Sequence, residues 1–230
     1  MVLSWWPGNL MRLMRSLKLL PILTLFAGLP ALVSAQDPPP PIGRFVIDGR
    51  GSVAMFTADS QLAASRGIEV VELPGAGLGV EGGAHLYLFT WKAVTVGIGG
   101  QLTVARSHAT PLDLNTFKPV TERFTSVTPQ LSLNFGNGHG WSYLSGGIGA
   151  ATWSIVRDGI LPLPADETRL RTVNYGGGAR WFIKPRLGFT LDVRFHQVDP
   201  GTPEEGRPAS PRTTFIIIGA GATLKVWPAR

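Results

Sequence analysis

The chain has 230 residues, a formal charge of +6 and no cysteine. Disulfides and thiol chemistry are therefore excluded. Arg12, Arg15 and Lys18 supply three of the excess positive charges, so the rest of the chain carries about +3 and gives no reason to expect a nucleic-acid partner.

Residues 1–35 read as a signal peptide. Met11 to Lys18 is a basic start, Leu19 to Val33 is apolar, and Val33-Ser34-Ala35 fits a small-residue cleavage site. The apolar run is short for a membrane span and is interrupted by Pro21, Gly28 and Pro30. Met11 offers an alternative start. Residues 36–43, with four consecutive prolines, read as an extended linker.

From residue 44 the periodicity changes to two. Eight segments alternate between apolar and polar or small residues: 44–57, 76–90, 93–106, 122–135, 141–154, 169–183, 186–198 and 213–227. Each is longer than the usual globular strand of about five or six residues. No amphipathic helix stands out. The connections alternate between short and long. Thr90 to Ala93, Gly136 to Gly140 and Lys184-Pro185 are short, and Asn137-Gly138 is a hairpin signal. The long ones, 58–75, 107–121, 155–168 and 199–212, are rich in turn-forming and charged residues. This predicts an up-and-down meander whose long loops all lie at one end.

The two faces of the strands differ in kind. In 186–198, Leu187, Phe189, Leu191, Val193 and Phe195 alternate with Gly188, Thr190, Asp192, Arg194 and His196. In 122–135, Val127, Leu131, Leu133 and Phe135 alternate with Ser126, Thr128, Gln130, Ser132 and Asn134. A water-facing sheet surface would carry many Lys and Glu residues. Here the polar face is mostly Thr, Ser, Gln, Asn and Gly, which suits a crowded interior. The predicted fold is all-β: an eight-stranded antiparallel transmembrane barrel over 44–230, with its apolar stripe towards lipid.

On that reading Asp48, Arg50, Glu81, His85, Arg180, Asp192, Arg194 and His196 form a polar cluster in the lumen. Asp192 and Asp48 are expected to pair with Arg50 and Arg194, with Glu81 and Arg180 farther round. Such a barrel is just wide enough for side chains to fill it, so the charges must neutralise one another. Trp91, Trp141, Trp181 and Trp227 fall beside short turns or at the last strand's end and are expected to form an interfacial girdle, with Phe135, Tyr143 and Phe182 nearby. Phe56, Phe124, Trp153 and Phe215 are candidates for the opposite girdle.

These features, together with the glycine-rich strands S-G-G-I-G-A-A and Y-G-G-G-A-R and the late L-D-V-R-F, resemble the small bacterial outer-membrane β-barrels. The resemblance spans 44–230. It implies an outer-membrane location, a periplasmic linker, outer-membrane lipids and lipopolysaccharide as surroundings, and the barrel-assembly machinery as a partner during insertion. It implies no cofactor or metal. Such chains usually end on an aromatic residue; here Pro228, Ala229 and Arg230 follow Trp227. The expected function is non-enzymatic, structural or interactive. Two alternatives stand beside it. Arg194 to Pro203 is loosely similar to the histidine strand of lipid A deacylase barrels, but Val198 occupies the place of their serine. A soluble lipocalin-like binding barrel would turn the apolar stripe inward. Oligomeric state is open.

Overall fold

The computed structural model describes residues 39–111, 117–204 and 206–227. The expected signal peptide, the first residues of the expected linker and the side chain of Trp227 lie outside that set. The strands are β1 Phe45–Met55, β2 Ala76–Trp91, β3 Val94–Ala109, β4 Val120–Asn137, β5 Gly140–Arg157, β6 Arg169–Phe182, β7 Leu187–Val198 and β8 Thr213–Trp227. Each pairs antiparallel with the next, and β8 pairs with β1, so the sheet closes on itself. The fold is the predicted eight-stranded up-and-down barrel. Closure leaves no strand edge unpaired, which matters most where water is absent.

The strands reach 18 residues in β4 and β5. At a rise of roughly 3.3 Å per residue and a tilt of roughly 40°, that is about 45 Å, well beyond the ~30 Å of a bilayer core. The surplus carries both strands into the loop region. There α1 (Ser60–Arg66) and α2 (Pro164–Glu167) form, which the sequence reading did not anticipate. Asp59 caps α1 by accepting from the Gln61 and Leu62 amides at 2.8 and 3.2 Å, and Gly67 ends it in the left-handed region at φ 63°. At seven residues, α1 is too short to show a helical period.

The outer face is apolar and exposed. Leu78 is 73 % exposed, Leu131 66 % and Ile148 58 %. A continuous surface of this kind is a liability in water and matches a bilayer. Trp91 and Trp181 lie on it, but Trp91 reaches it through an irregularity. The register with β3 shifts between Tyr87 and Phe89, so Leu88 and Phe89 both face outward and the parity of the strand end reverses.

Several expected girdle residues turn inward instead. Trp141 is 3 % exposed, and Tyr143 lies beside it in the interior. Both share the face of β5 opposite Leu144 and Ile148. Phe56, Phe124, Trp153 and Phe215 are also buried; they pack edge to face around Phe215 at centroid distances of 4.8–5.2 Å. The interior at the loop end is therefore an aromatic plug, not a second girdle. β8, apolar on both faces, is resolved by this plug: Phe215 and Ile217 point in, and Ile218 points out.

Inward glycines make room for these large side chains. A Cβ on Gly97 would lie 2.8 Å from the Tyr87 ring, and one on Gly178 2.7 Å from the Tyr143 hydroxyl. One on Gly219 would run into the Glu81 carboxylate. Gly178→Val should therefore cost about 1–3 kcal/mol by overpacking, read as a lower urea midpoint of the refolded barrel. Gly82→Val, whose Cβ meets nothing within 4 Å, should leave the midpoint unchanged.

Candidate functional site

The interior is built in three tiers. Nearest the short turns, Trp141 stacks on Phe182 at 5.0 Å and meets Tyr87 edge to face at 5.7 Å. Lys225 reaches into this tier from β8. Its ammonium lies 3.7 Å from the Phe182 ring centroid and donates to the Gly138 carbonyl. An amphipathic stem with a satisfied head explains a buried lysine here.

The middle tier holds the charges. Asp48 accepts from Arg180 through both carboxylate oxygens, Nε at 3.0 Å and Nη2 on the other. Arg194 Nε lies 2.7 Å from Asp192, and its Nη groups donate to Asn174 at 2.9 Å and Ser145 at 2.7 Å. Arg50 lies among all three acids, 3.3 Å from Glu81, 3.8 Å from Asp192 and 3.9 Å from Asp48. Gln101 donates to the other Glu81 oxygen at 2.5 Å. Tyr143 donates to Asp192, and the Arg180 guanidinium sits 4.1 Å from the Tyr143 ring centroid. His85 Nε2 lies 3.6 Å from Asp48. Glu81 and Arg180 are thus not farther round: Arg180 is the main partner of Asp48, and Glu81 that of Arg50. Strand order alone did not reveal this, because cross-barrel distances depend on the stagger of the ring.

His196 stands apart from this group. It packs against Phe124 at 5.3 Å, with its ring nitrogens 3.5 Å from Ser126 Oγ and 3.4 Å from Asn174 Nδ2. A serine and an asparagine around a histidine invite comparison with a nucleophilic triad. The proton placement argues otherwise. Arg194 fixes Asn174 Oδ1 as an acceptor, so the Asn174 amide nitrogen donates to His196 Nε2. The ring proton then resides on Nδ1 and is donated to Ser126. A histidine donating to a serine does not take its proton. All three side chains are buried. Among the described residues, no group of three or more His, Cys, Asp or Glu side chains could hold a metal ion.

The upper tier is the aromatic plug and its cap. Leu62 of α1 joins Phe56, Phe124 and Trp153, and Trp153 Nε1 donates to Glu122 at 2.8 Å. The loops are tied across the mouth. Arg66 pairs with Asp166 at 3.0 Å, and Asp166 also accepts from the Ile155 and Leu163 amides. Glu204 accepts from the Ala165 amide at 2.8 Å. Arg157 holds Glu72 through Nε at 2.9 Å and Nη2 at 2.6 Å, a pairing that keeps the Glu72 carboxyl below the usual carboxylate range.

No family model matches the chain, and no curated protein matches it. Solved structures do. The crystal structure of Neisserial surface protein A aligns with a TM-score of 0.52 and 10 % identity over 79 % of this chain and 96 % of that one. Ail, the attachment invasion locus protein of Yersinia pestis, aligns at 0.50 and 13 % identity over 80 % and 99 %. The chain has the fold of the small eight-stranded outer-membrane barrels. The outer membrane enzyme PagL also aligns, at 0.44 and 11 % identity over 79 % and 99 %, too weakly to bear on activity.

Removing one arginine from the middle tier should strand a buried carboxylate. Arg180→Leu leaves Asp48 with Arg50 at 3.9 Å as its nearest arginine, and should cost roughly 3–5 kcal/mol of stability. Equilibrium urea unfolding of the refolded barrel measures it. Arg180→Leu combined with Asp48→Asn should recover part of the loss; an unchanged midpoint for the single variant would mean that the pair does not hold the barrel.

Proposed function

We propose that the chain is a non-enzymatic integral barrel of the bacterial outer membrane, with its role carried by the loop cap and outer surface. The observation that carries this is the inverted polarity of the barrel. Asp48, Arg50, Glu81, Asp192 and Arg194 have fully buried side chains, while leucine, isoleucine and valine cover the outside. A lipocalin-like barrel has the opposite arrangement. The fold shared with solved outer-membrane proteins supports the same reading. So does the interior itself, filled from the Trp141 tier to the Phe215 tier, which favours a closed scaffold over an open channel. The barrel-assembly machinery is the partner expected during insertion, acting on a last strand that reaches Trp227.

Refolding into detergent tests this. The folded protein should migrate anomalously on an SDS gel until boiled, and expressing cells should carry it in the outer-membrane fraction. Recovery as a soluble periplasmic protein with no heat-modifiable form would refute the reading.

A further inference from the structure

At the long-loop end of the outer face, Arg106 of β3 stands directly opposite Arg123 of β4. Both are exposed. Cross-strand partners have Cβ atoms about 4.5–5.5 Å apart, and like charges in that position repel. Among the described residues, neither guanidinium has a carboxylate within salt-bridge reach, in contrast to Arg66, Arg157, Arg171 and Arg212 at the same end. The two line a hollow of about 280 Å³, shared with Thr121, Ser154, Arg157 and Asp158. Arg157 is already committed to Glu72. Below the pair, past Thr125, the outer face is apolar, with Val104 and Leu102 on β3 and Val127 and Leu131 on β4. About 20 Å farther down, a rise of six residues from Arg123, a broad apolar hollow of about 710 Å³ opens around Pro129, Gly146 and Ile148.

Two adjacent arginines with no carboxylate partner among the described residues form an anion site, and guanidinium forks match phosphate oxygens. The apolar column beneath them suits acyl chains. We propose that Arg106 and Arg123 hold a phosphate of lipopolysaccharide, whose acyl chains run down β3 and β4. This rests on the membrane reading above, which places the long loops in the external leaflet. A phosphate monoester, at roughly −1.5 to −2 near neutral pH, matches two guanidinium charges better than a singly charged phosphodiester does.

Native mass spectrometry of the full chain, refolded in detergent and titrated with lipid A, reads the site. The folded barrel should bind one lipid A, and R106Q/R123Q should weaken that binding at least tenfold. R169Q removes an exposed arginine from the same rim outside the hollow and should leave binding within twofold. Non-phosphorylated lipid A should bind the wild type as weakly as lipid A binds the double variant. Equal binding of lipid A by wild type and double variant would overturn the proposal. Equal binding of phosphatidylglycerol, or displacement of lipid A by millimolar inorganic phosphate alone, would overturn the assignment to lipopolysaccharide. A heat-modifiability check on every variant separates these outcomes from failure of the barrel itself, since a chain that does not fold as a barrel refutes the membrane reading first.

Discussion

Three guanidinium groups and three carboxylates occupy the middle of the barrel, and their mutual neutralisation is the condition on which the rest of the structure depends. An ionised group without a partner in such a place costs several kcal/mol. Here Arg180 grips Asp48, Arg194 grips Asp192, and Arg50 bridges Glu81 to both other acids. The charges come from β1, β2, β6 and β7, so the network ties together strands that are not all neighbours. It gives the ring a single stagger in which the carboxylates and forks meet.

The tiers on either side follow from this centre. Large aromatic residues close the lumen towards the turns and towards the loops, and inward glycines on β3, β6 and β8 supply the space they and the charges need. With the interior filled, the apolar stripe of every strand has to face outward. The loop ends carry the surplus polar groups, and these cap the plug through Arg66, Asp166, Glu72 and Arg157. The barrel is thus polar and aromatic within, apolar around its waist, and ion-paired at its mouth.

Much of this was legible in the sequence because a period of two is hard to mistake over a dozen residues. Strand positions, loop alternation and the inward set Asp48, Arg50, Glu81, His85, Arg180, Asp192, Arg194 and His196 follow from parity alone. Trp141 lies beside a turn, as an interfacial tryptophan would, but parity decides its side: on β5 it alternates with Leu144 and Ile148 and shares the face of Tyr143 and Trp153. Phe124 likewise shares the face of Ser126 and Thr128. The bulge near Leu88 had no signature, since it exists only in relation to the partner strand. Which acid meets which arginine was also hidden, being set by barrel stagger. The helix α1 was too short for periodicity, although Asp59 and Gly67 mark its ends in hindsight.

The direction in which each face of the sheet points separates a membrane barrel from a water-soluble one. The absence of cysteine makes it directly measurable. Single cysteines at Leu191 and Val193 on β7, labelled with a fluorophore in the barrel reconstituted into bilayers, should be strongly quenched by a nitroxide dissolved in the lipid and barely by aqueous iodide. A cysteine at Thr190 should resist labelling until the barrel is unfolded. If instead Thr190 is freely labelled from water while Leu191 and Val193 are shielded from both quenchers, the apolar stripe lies inside, and the outward-facing membrane barrel is wrong.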